Sequence, residues 1–424
     1  MARFLYSLIF TLLMPFILIR LVMRARKAPA YGQRWWERFG WIKGPKQTGG
    51  IWFHTVSMGE FIAAAPLIEQ VMQANPNTPV TITTTTPTGS EQVQKRFAKQ
   101  LGQQVFHVYL PYDLPWLLSG FLRKVRPQLL VILETELWPN LIHTSKKKGC
   151  KVMVVNARLS EKSAKGYGKV AGLTKSMLEQ LDCLAVQNET DGQRFLDLGM
   201  PKDRMAVTGS IKFDLAIEES LKEKGQAWKE RWGVDRKVIL VASTHQGEDE
   251  VALSAFKHIH KELDDTLMVI VPRHPERFND VAKLIESQGW SLGRRSQDTI
   301  STDSQVVLVD TMGELMQFLA ASDVCIMGGS FVENGAHNPL EPAALEVPVL
   351  IGPSQFNFAL ICELLEQAGG LKTVTADELG QVALQWLSDD ALRMEKGSAA
   401  KSVVDANRGA KQKVFELIST QRKN

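Results

Sequence analysis

Cysteine is scarce in this chain. It occurs four times in 424 residues and never in CxxC spacing. Cys150, Cys183, Cys325 and Cys362 lie far apart and mostly in apolar settings, which argues against a disulfide framework or a zinc site and fits reduced core residues of a cytosolic protein. Excess charge is scarce too: a net charge of +4 is too mild to argue for nucleic acid as a partner. Neither GxxxxGK[ST] nor GxGxxG occurs, so a P-loop ATPase and a standard dinucleotide enzyme are disfavoured. His54, His245, His274 and His337 are scattered, and no pair has metal-ligand spacing, so each reads as a structural histidine or a phosphate donor.

What is present begins with Phe4 to Ile19, FLYSLIFTLLMPFILI, followed by Arg20, Arg24, Arg26 and Lys27. This run is shorter than the ~20 residues that span a bilayer comfortably, although Leu21, Val22 and Met23 extend it if Arg20 snorkels. Charge lying after the run favours an uncleaved anchor with the remainder on the cytoplasmic side over a cleavable signal peptide. An interfacial helix with its arginines toward anionic lipid is the other form of anchor. The next stretch, YGQRWWERFGW, sets Trp35, Trp36 and Trp41 among Arg34, Glu37 and Arg38, a composition suited to a membrane interface or an amphiphilic substrate.

From Ile51 onward the pattern is α/β. Short apolar runs such as Ile51 to Val56, Leu129 to Leu133, Val152 to Val155, Val238 to Ala242, Leu267 to Val271 and Val324 to Met327 each end in polar or glycine residues and lead into helical patterns. That order predicts a doubly wound parallel sheet in each half, and two such domains facing one another make a cleft. The expected division is 1–27 for the anchor and its basic flank, 28–214 for a first Rossmann-like domain, and 215–424 for a second with terminal helices. The charged stretch Glu218 to Arg231 reads as the linker, Ser57 to Glu60 as a turn, and the last residues as a basic tail.

Ligands of open α/β sheets bind at the carboxyl ends of strands, which directs attention to the strand exits. Glu60, Glu134 and Glu136 are candidates for proton abstraction there. Lys212 and Arg273 are candidates for holding a phosphate or carboxylate, helped by helix amides after Ser330 and Met312. The run from Gly328 to Pro353 reads as a glycine loop feeding a helix and then a strand, with Asn338 as N-cap, Pro339 first in the helix and Glu341 in capping-box position. Each candidate also has a structural reading: Glu60 as a first-turn carboxylate, Glu134 and Lys212 as a pair, Arg273 as a rim ion pair, Glu341 as a cap partner.

Six blocks carry a closer resemblance. They are HTVSMGE from His54, ETELWPN from Glu134, NARLS from Asn156, GSIKFD from Gly209, VPRHPERF from Val271, and HNPLE from His337. In this order, over nearly the whole chain, they resemble the bacterial 3-deoxy-D-manno-octulosonic acid (Kdo) transferases of lipopolysaccharide inner-core synthesis. One departure is Ala336, where the family usually has a second glycine.

The resemblance implies an inverting glycosyltransferase of GT-B fold that moves one or two Kdo residues from CMP-Kdo to the lipid A precursor lipid IVA. It implies Glu60 as general base and Glu134 and Lys212 as transition-state stabilisers. CMP would lie on Pro272, Arg273, Met312, Gly313, Glu314, Asn338, Pro339, Leu340 and Glu341. No metal or other cofactor is expected. The implied partners are CMP-Kdo, the lipid A precursor and inner-leaflet phospholipid, at the cytoplasmic face of the inner membrane. A GT-B enzyme using a UDP-sugar is the alternative, and a membrane-surface scaffold without activity is a third.

Overall fold

The computed structural model describes residues 2–215 and 217–423. Met1 at the head of the anchor segment, Ala216 at the domain junction and Asn424 in the basic tail lie outside the described residues. The chain divides into two compact units, Met1–Asp214 with Arg408–Asn424, and Leu215–Asn407.

The first unit is built on seven strands: β1 (Ile51–His54), β2 (Val80–Thr84), β3 (Val105–Tyr109), β4 (Leu129–Leu133), β5 (Lys151–Ala157), β6 (Cys183–Val186) and β7 (Met205–Val207). They lie in the order β3-β2-β1-β4-β5-β6-β7, all parallel. Burial on both faces explains their apolar, β-branched sequences. Trp52, Leu130, Ile132, Val152 and Val154 enter the core on one face. Their alternating neighbours Ile51, Phe53, Leu129, Val131, Met153 and Val155 enter the core on the other.

The second unit repeats the plan with β8 (Val238–Thr244), β9 (Leu267–Pro272), β10 (Leu292–Arg294), β11 (Val306–Leu308), β12 (Val324–Met327), β13 (Val349–Ile351) and β14 (Leu371–Thr373). Its order is β10-β11-β9-β8-β12-β13-β14, again all parallel. In such sheets the ligand crevice opens where the direction of strand addition reverses. That point falls between β1 and β4 in the first unit and between β8 and β12 in the second.

Three sequence expectations need correction. Glu218 to Arg231 is no linker: Ser220–Trp232 is a helix with Leu221, Gly225, Trp228 and Trp232 buried. The two indoles pack on Phe318, with ring centroids 4.6 and 6.2 Å away. Its high charge belongs to the exposed face of an amphipathic helix. Nor do residues 408–424 belong with the second domain. In the helix Ala410–Lys423, Ala410, Val414 and Ile418 recur every four residues and enter the first unit's core. Asp214 holds its start by accepting from the Gly409 and Lys411 amides at 2.7 and 2.6 Å. Finally, Ser57 to Glu60 is not a turn, because the helix Met58–Ala74 starts there with Ser57 as N-cap.

Candidate active site

Glu60 lies in the first turn of that helix, just past the exit of β1. The Val56 amide donates to Oε2 at 2.7 Å and the Ser57 hydroxyl to Oε1 at 3.0 Å. Ser57 Oγ in turn accepts from the Glu60 amide at 3.3 Å. The carboxylate is therefore fixed in orientation by its own helix start. Burial nevertheless pushes its pKa up to about 7; the Val56 and Ser57 hydrogen bonds oppose this, and the charges of Glu134 and Glu136 add to it. A carboxyl held near neutrality at a ligand crevice is equipped to take a proton at cellular pH.

Glu134 follows β4, across the reversal point from β1. Its φ is +55°, a left-handed conformation that costs a non-glycine residue about 1 kcal/mol. Its side chain is 15% exposed, with Lys212 Nζ 2.9 Å from Oε1 and Arg158 Nε 3.4 Å from Oε2. Lys212 is carried on the short 3-10 turn Ile211–Phe213. Asn156, 1% exposed and also left-handed at φ +56°, accepts the Ile211 amide on Oδ1 at 3.1 Å, which ties that turn to the end of β5. Glu136 accepts from Trp138 Nε1 at 3.0 Å; burial raises its pKa, and its charge adds to the rise at Glu60. The first unit thus brings Glu60, Glu134 and Lys212 to one crevice. His54 is a core residue, fully buried against Thr83, and burial lowers its pKa to about 4.

The second unit gathers charge at the exits of β8, β9 and β12. Rings of His245 and His337 stack, tilted by 2°, with their Nε2 atoms 2.8 Å apart, so one nitrogen donates and the other accepts. Burial, then the charges of His245, Arg273 and His274, lowers the His337 pKa to about 4. Arg277 pairs with Asp249, whose side chain is 1% exposed, and donates to the Thr244 carbonyl at 2.7 Å. Arg273 differs: among the described residues its guanidinium makes no hydrogen bond or ion pair, although its charge opposes the burial that raises the Glu341 pKa.

Two expected features are absent as drawn. The amides of Gly329, Ser330 and Phe331 do not wait for an anion, because Glu248, 2% exposed, accepts from them at 2.7, 3.0 and 3.0 Å and from the His245 amide at 2.9 Å. The helix after Asn338 is only five residues, Leu340–Ala344, with Pro339 in the cap position. Asn338 Oδ1 accepts from the Leu340 amide at 3.2 Å, and its side-chain amide donates to Glu341 Oε1 at 3.3 Å. No capping box forms, so Glu341 keeps acceptor capacity. At the exit of β11, Met312 is 56% exposed, and Glu314 is engaged by Thr311, Arg295 (3.0 Å) and Gln317 (2.8 Å). Those bonds outweigh its burial and lower its pKa.

The family model described as 3-deoxy-D-manno-octulosonic-acid transferase (kdotransferase) matches residues 33–215. The 3-deoxy-D-manno-octulosonic acid transferase of Haemophilus influenzae is 40% identical over 425 residues, covering 99% of this chain and 98% of its own. The chain belongs to the Kdo transferase family. The Bordetella pertussis transferase is 34% identical over 99% of both chains. Among solved structures, a UDP-GlcNAc 2-epimerase from Neisseria meningitidis bound to UDP-GlcNAc superposes with a TM-score of 0.57 at 16% identity, covering 88% of this chain and all of that one. A glycosyltransferase from Rickettsia africae gives 0.55 at 14% identity, covering 89% of this chain and all of that one. Likeness at those identities concerns the fold, two Rossmann-like units of GT-B type. Sequence reading of this Kdo transferase missed Glu248, Asp249 and Arg277 as organisers of the second crevice, and Asn156 as the support of the Lys212 turn.

Proposed function

We propose that this Kdo transferase moves Kdo from CMP-Kdo to a hydroxyl of the lipid A precursor lipid IVA, by one displacement with inversion. The observation that carries the reading is Glu60, a carboxyl with a pKa of about 7 beside the Glu134–Lys212 pair at the first unit's reversal point. The acceptor oxygen forms a bond to the anomeric carbon of Kdo as its proton passes to Glu60. The bond from that carbon to the CMP phosphate breaks, and its electron pair leaves with CMP. Arg273 meets the phosphate charge, and Glu341 accepts from the ribose hydroxyls. Lys212, steadied by Glu134, faces the negative charge of the reacting sugar. Side-chain cations, rather than a bound metal, supply this electrostatic work in the scheme.

The apolar helix Ala2–Lys27 and the adjoining tryptophans support placement at the cytoplasmic face of the inner membrane, where a lipid acceptor resides. The test is transfer from CMP-Kdo, generated in the assay, to a tetraacylated lipid A precursor, with products resolved by mass. Mass additions of one or two Kdo units, inhibited by CMP and not by UDP and unchanged by chelator, are expected. Protein that binds CMP but adds no mass would refute the acceptor assignment, and protein that binds UDP instead would refute the donor.

A further inference from the structure

The helix Ala2–Lys27 is long and apolar enough to cross a membrane, but its contacts are those of a helix lying along its own unit. Ser7, Phe10, Met14, Ile17, Leu21 and Ala25 recur three or four residues apart and are shielded relative to their neighbours, so one stripe faces inward from the first turns to the last. Near the start, Arg3 and Ser7 each reach the fully buried Asn140, with contacts of 3.2 Å to its Oδ1. The Phe10 ring lies 6.5 Å from that of Tyr112. At the far end the chain folds straight back: Arg24 sits 5.5 Å from the Tyr31 ring, and a Cβ on Gly32 would lie 3.2 Å from that of Ala25. Arg34 then donates to Ser90 and to the His107 carbonyl at 2.9 and 3.1 Å.

These tethers leave no room for a crossing. From Phe10 to Lys27 a helix rises about 25 Å, short of the ~30 Å hydrocarbon layer. The seven residues from Lys27 to Arg34 reach at most about 25 Å even when fully extended, and here they are coiled. Opposite the inward stripe, Phe4, Leu8, Leu12, Phe16, Ile19 and Met23 are 46% to 73% exposed. The helix has no acidic residue, and Arg20, Arg24, Arg26 and Lys27 follow one another at its end. Exposed Trp35, Trp36 and Trp41 follow the fold-back.

We infer that this helix is an in-plane anchor. Its inner stripe beds on the first unit, its outer face enters the acyl boundary of an anionic phospholipid leaflet, and both ends stay on the side of the globular units. The inference uses the proposed cytoplasmic placement only to name that side.

The experiment introduces single cysteines by Ala2→Cys, Ala28→Cys and Ser388→Cys into the full chain, whose four native cysteines are buried. Membrane vesicles of both orientations are treated with a membrane-impermeant maleimide. Ser388→Cys reports the side of the globular units by itself, so a failure of the cytoplasmic reading is seen separately. Labelling of Ala2→Cys and Ala28→Cys from the same face as Ser388→Cys is expected, and labelling of the two from opposite faces overturns the inference. In a second measurement, purified full-length protein is floated with phosphatidylcholine vesicles with and without phosphatidylglycerol. Binding is expected to favour the anionic vesicles and to fall roughly tenfold or more in the Arg20→Glu/Arg24→Glu variant. Equal binding to both vesicles overturns the inference. So does a dimer abolished by Phe16→Ser while vesicle binding is unchanged, because a second copy would then cover the outer face.

Discussion

Lys212 Nζ lies 2.9 Å from Glu134 Oε1, so the cation at the first crevice comes with its own carboxylate. That carboxylate also lies close enough to Glu60 for its charge to raise the Glu60 pKa. Removing the lysine therefore does two things. In the proposed scheme it takes away a positive charge near the reacting sugar, and it leaves Glu134 less compensated beside Glu60. We expect Lys212→Met to lower kcat by about 100-fold or more and to move the acid limb of the rate profile up by roughly half a pH unit. A pH series of kcat on wild type and variant checks both. A fall in kcat with the limb unmoved would separate Lys212 from Glu60.

Glu60 itself carries opposite consequences for rate and for stability. With Glu60 as the proposed base, transfer needs the unprotonated carboxylate, so the rate is expected to rise with pH and level off above about 7. Stability runs the other way. A folded pKa raised above the unfolded value contributes stability that is fully present below the unfolded pKa, near 4.5, and lost as pH rises through about 7. Glu60→Gln retains an acceptor for the Val56 amide but has no proton to lose. It should reduce kcat by roughly 100-fold to 10,000-fold while gaining roughly 1 kcal/mol relative to wild type at pH 8 and nothing at pH 4. Urea titrations at the two pH values, with turnover measured alongside, test the pair of effects.

Ala336, 3% exposed, stands at φ +64° in the loop where its amide donates to the Gly329 carbonyl at 2.7 Å. Glycine adopts that conformation without strain, but it also loses more entropy on folding. The net expectation for Ala336→Gly is a gain of about 0.5–1 kcal/mol. CMP affinity should stay unchanged, because the loop geometry is already set by the Glu248 contacts. Thermal melts and a CMP titration measure the two quantities.

The parallel sheets were legible because each strand is an apolar run that ends in polar residues, and burial on both faces requires such runs. Glu60, Glu134 and Lys212 were legible for the same reason, since each follows closely on a strand. Short strands left less signal: Leu292–Arg294 has a glycine at its centre, and Leu371–Thr373 has a lysine at its centre. Glu248 was illegible for a different reason. It reads locally as a first-turn acid, while its hydrogen bonds reach amides more than 80 residues later in the chain. The capping box at Asn338 failed because the helix begins one residue later than the local pattern indicates, with Pro339 as its cap, and the Asn338 side chain meets the Leu340 amide instead.

Arg273 and Arg277 are one helical turn apart in number and carry the same charge, yet the structure gives them different work. Arg277 neutralises Asp249, a carboxylate with 1% of its side chain exposed, and bonds the carbonyl at the end of β8. Its loss strands a buried acid, which should cost roughly 3 kcal/mol of stability. Because the first crevice belongs to the other unit, the kcat of the folded Arg277→Ala fraction should change little. Arg273 makes no side-chain hydrogen bond or ion pair among the described residues, and its charge reaches Glu341 and His337. Arg273→Ala removes a half-buried side chain and should leave the melting temperature within about 1 °C of wild type, because no hydrogen bond or ion pair among the described residues is lost. It should weaken CMP binding by about 10-fold to 100-fold, the loss of one charge-assisted contact to phosphate. Calorimetric CMP titrations paired with melting curves of both variants distinguish the roles. Equal losses of stability in the two would mean that Arg273 is a structural residue, and the donor phosphate would then have to be met by another cation.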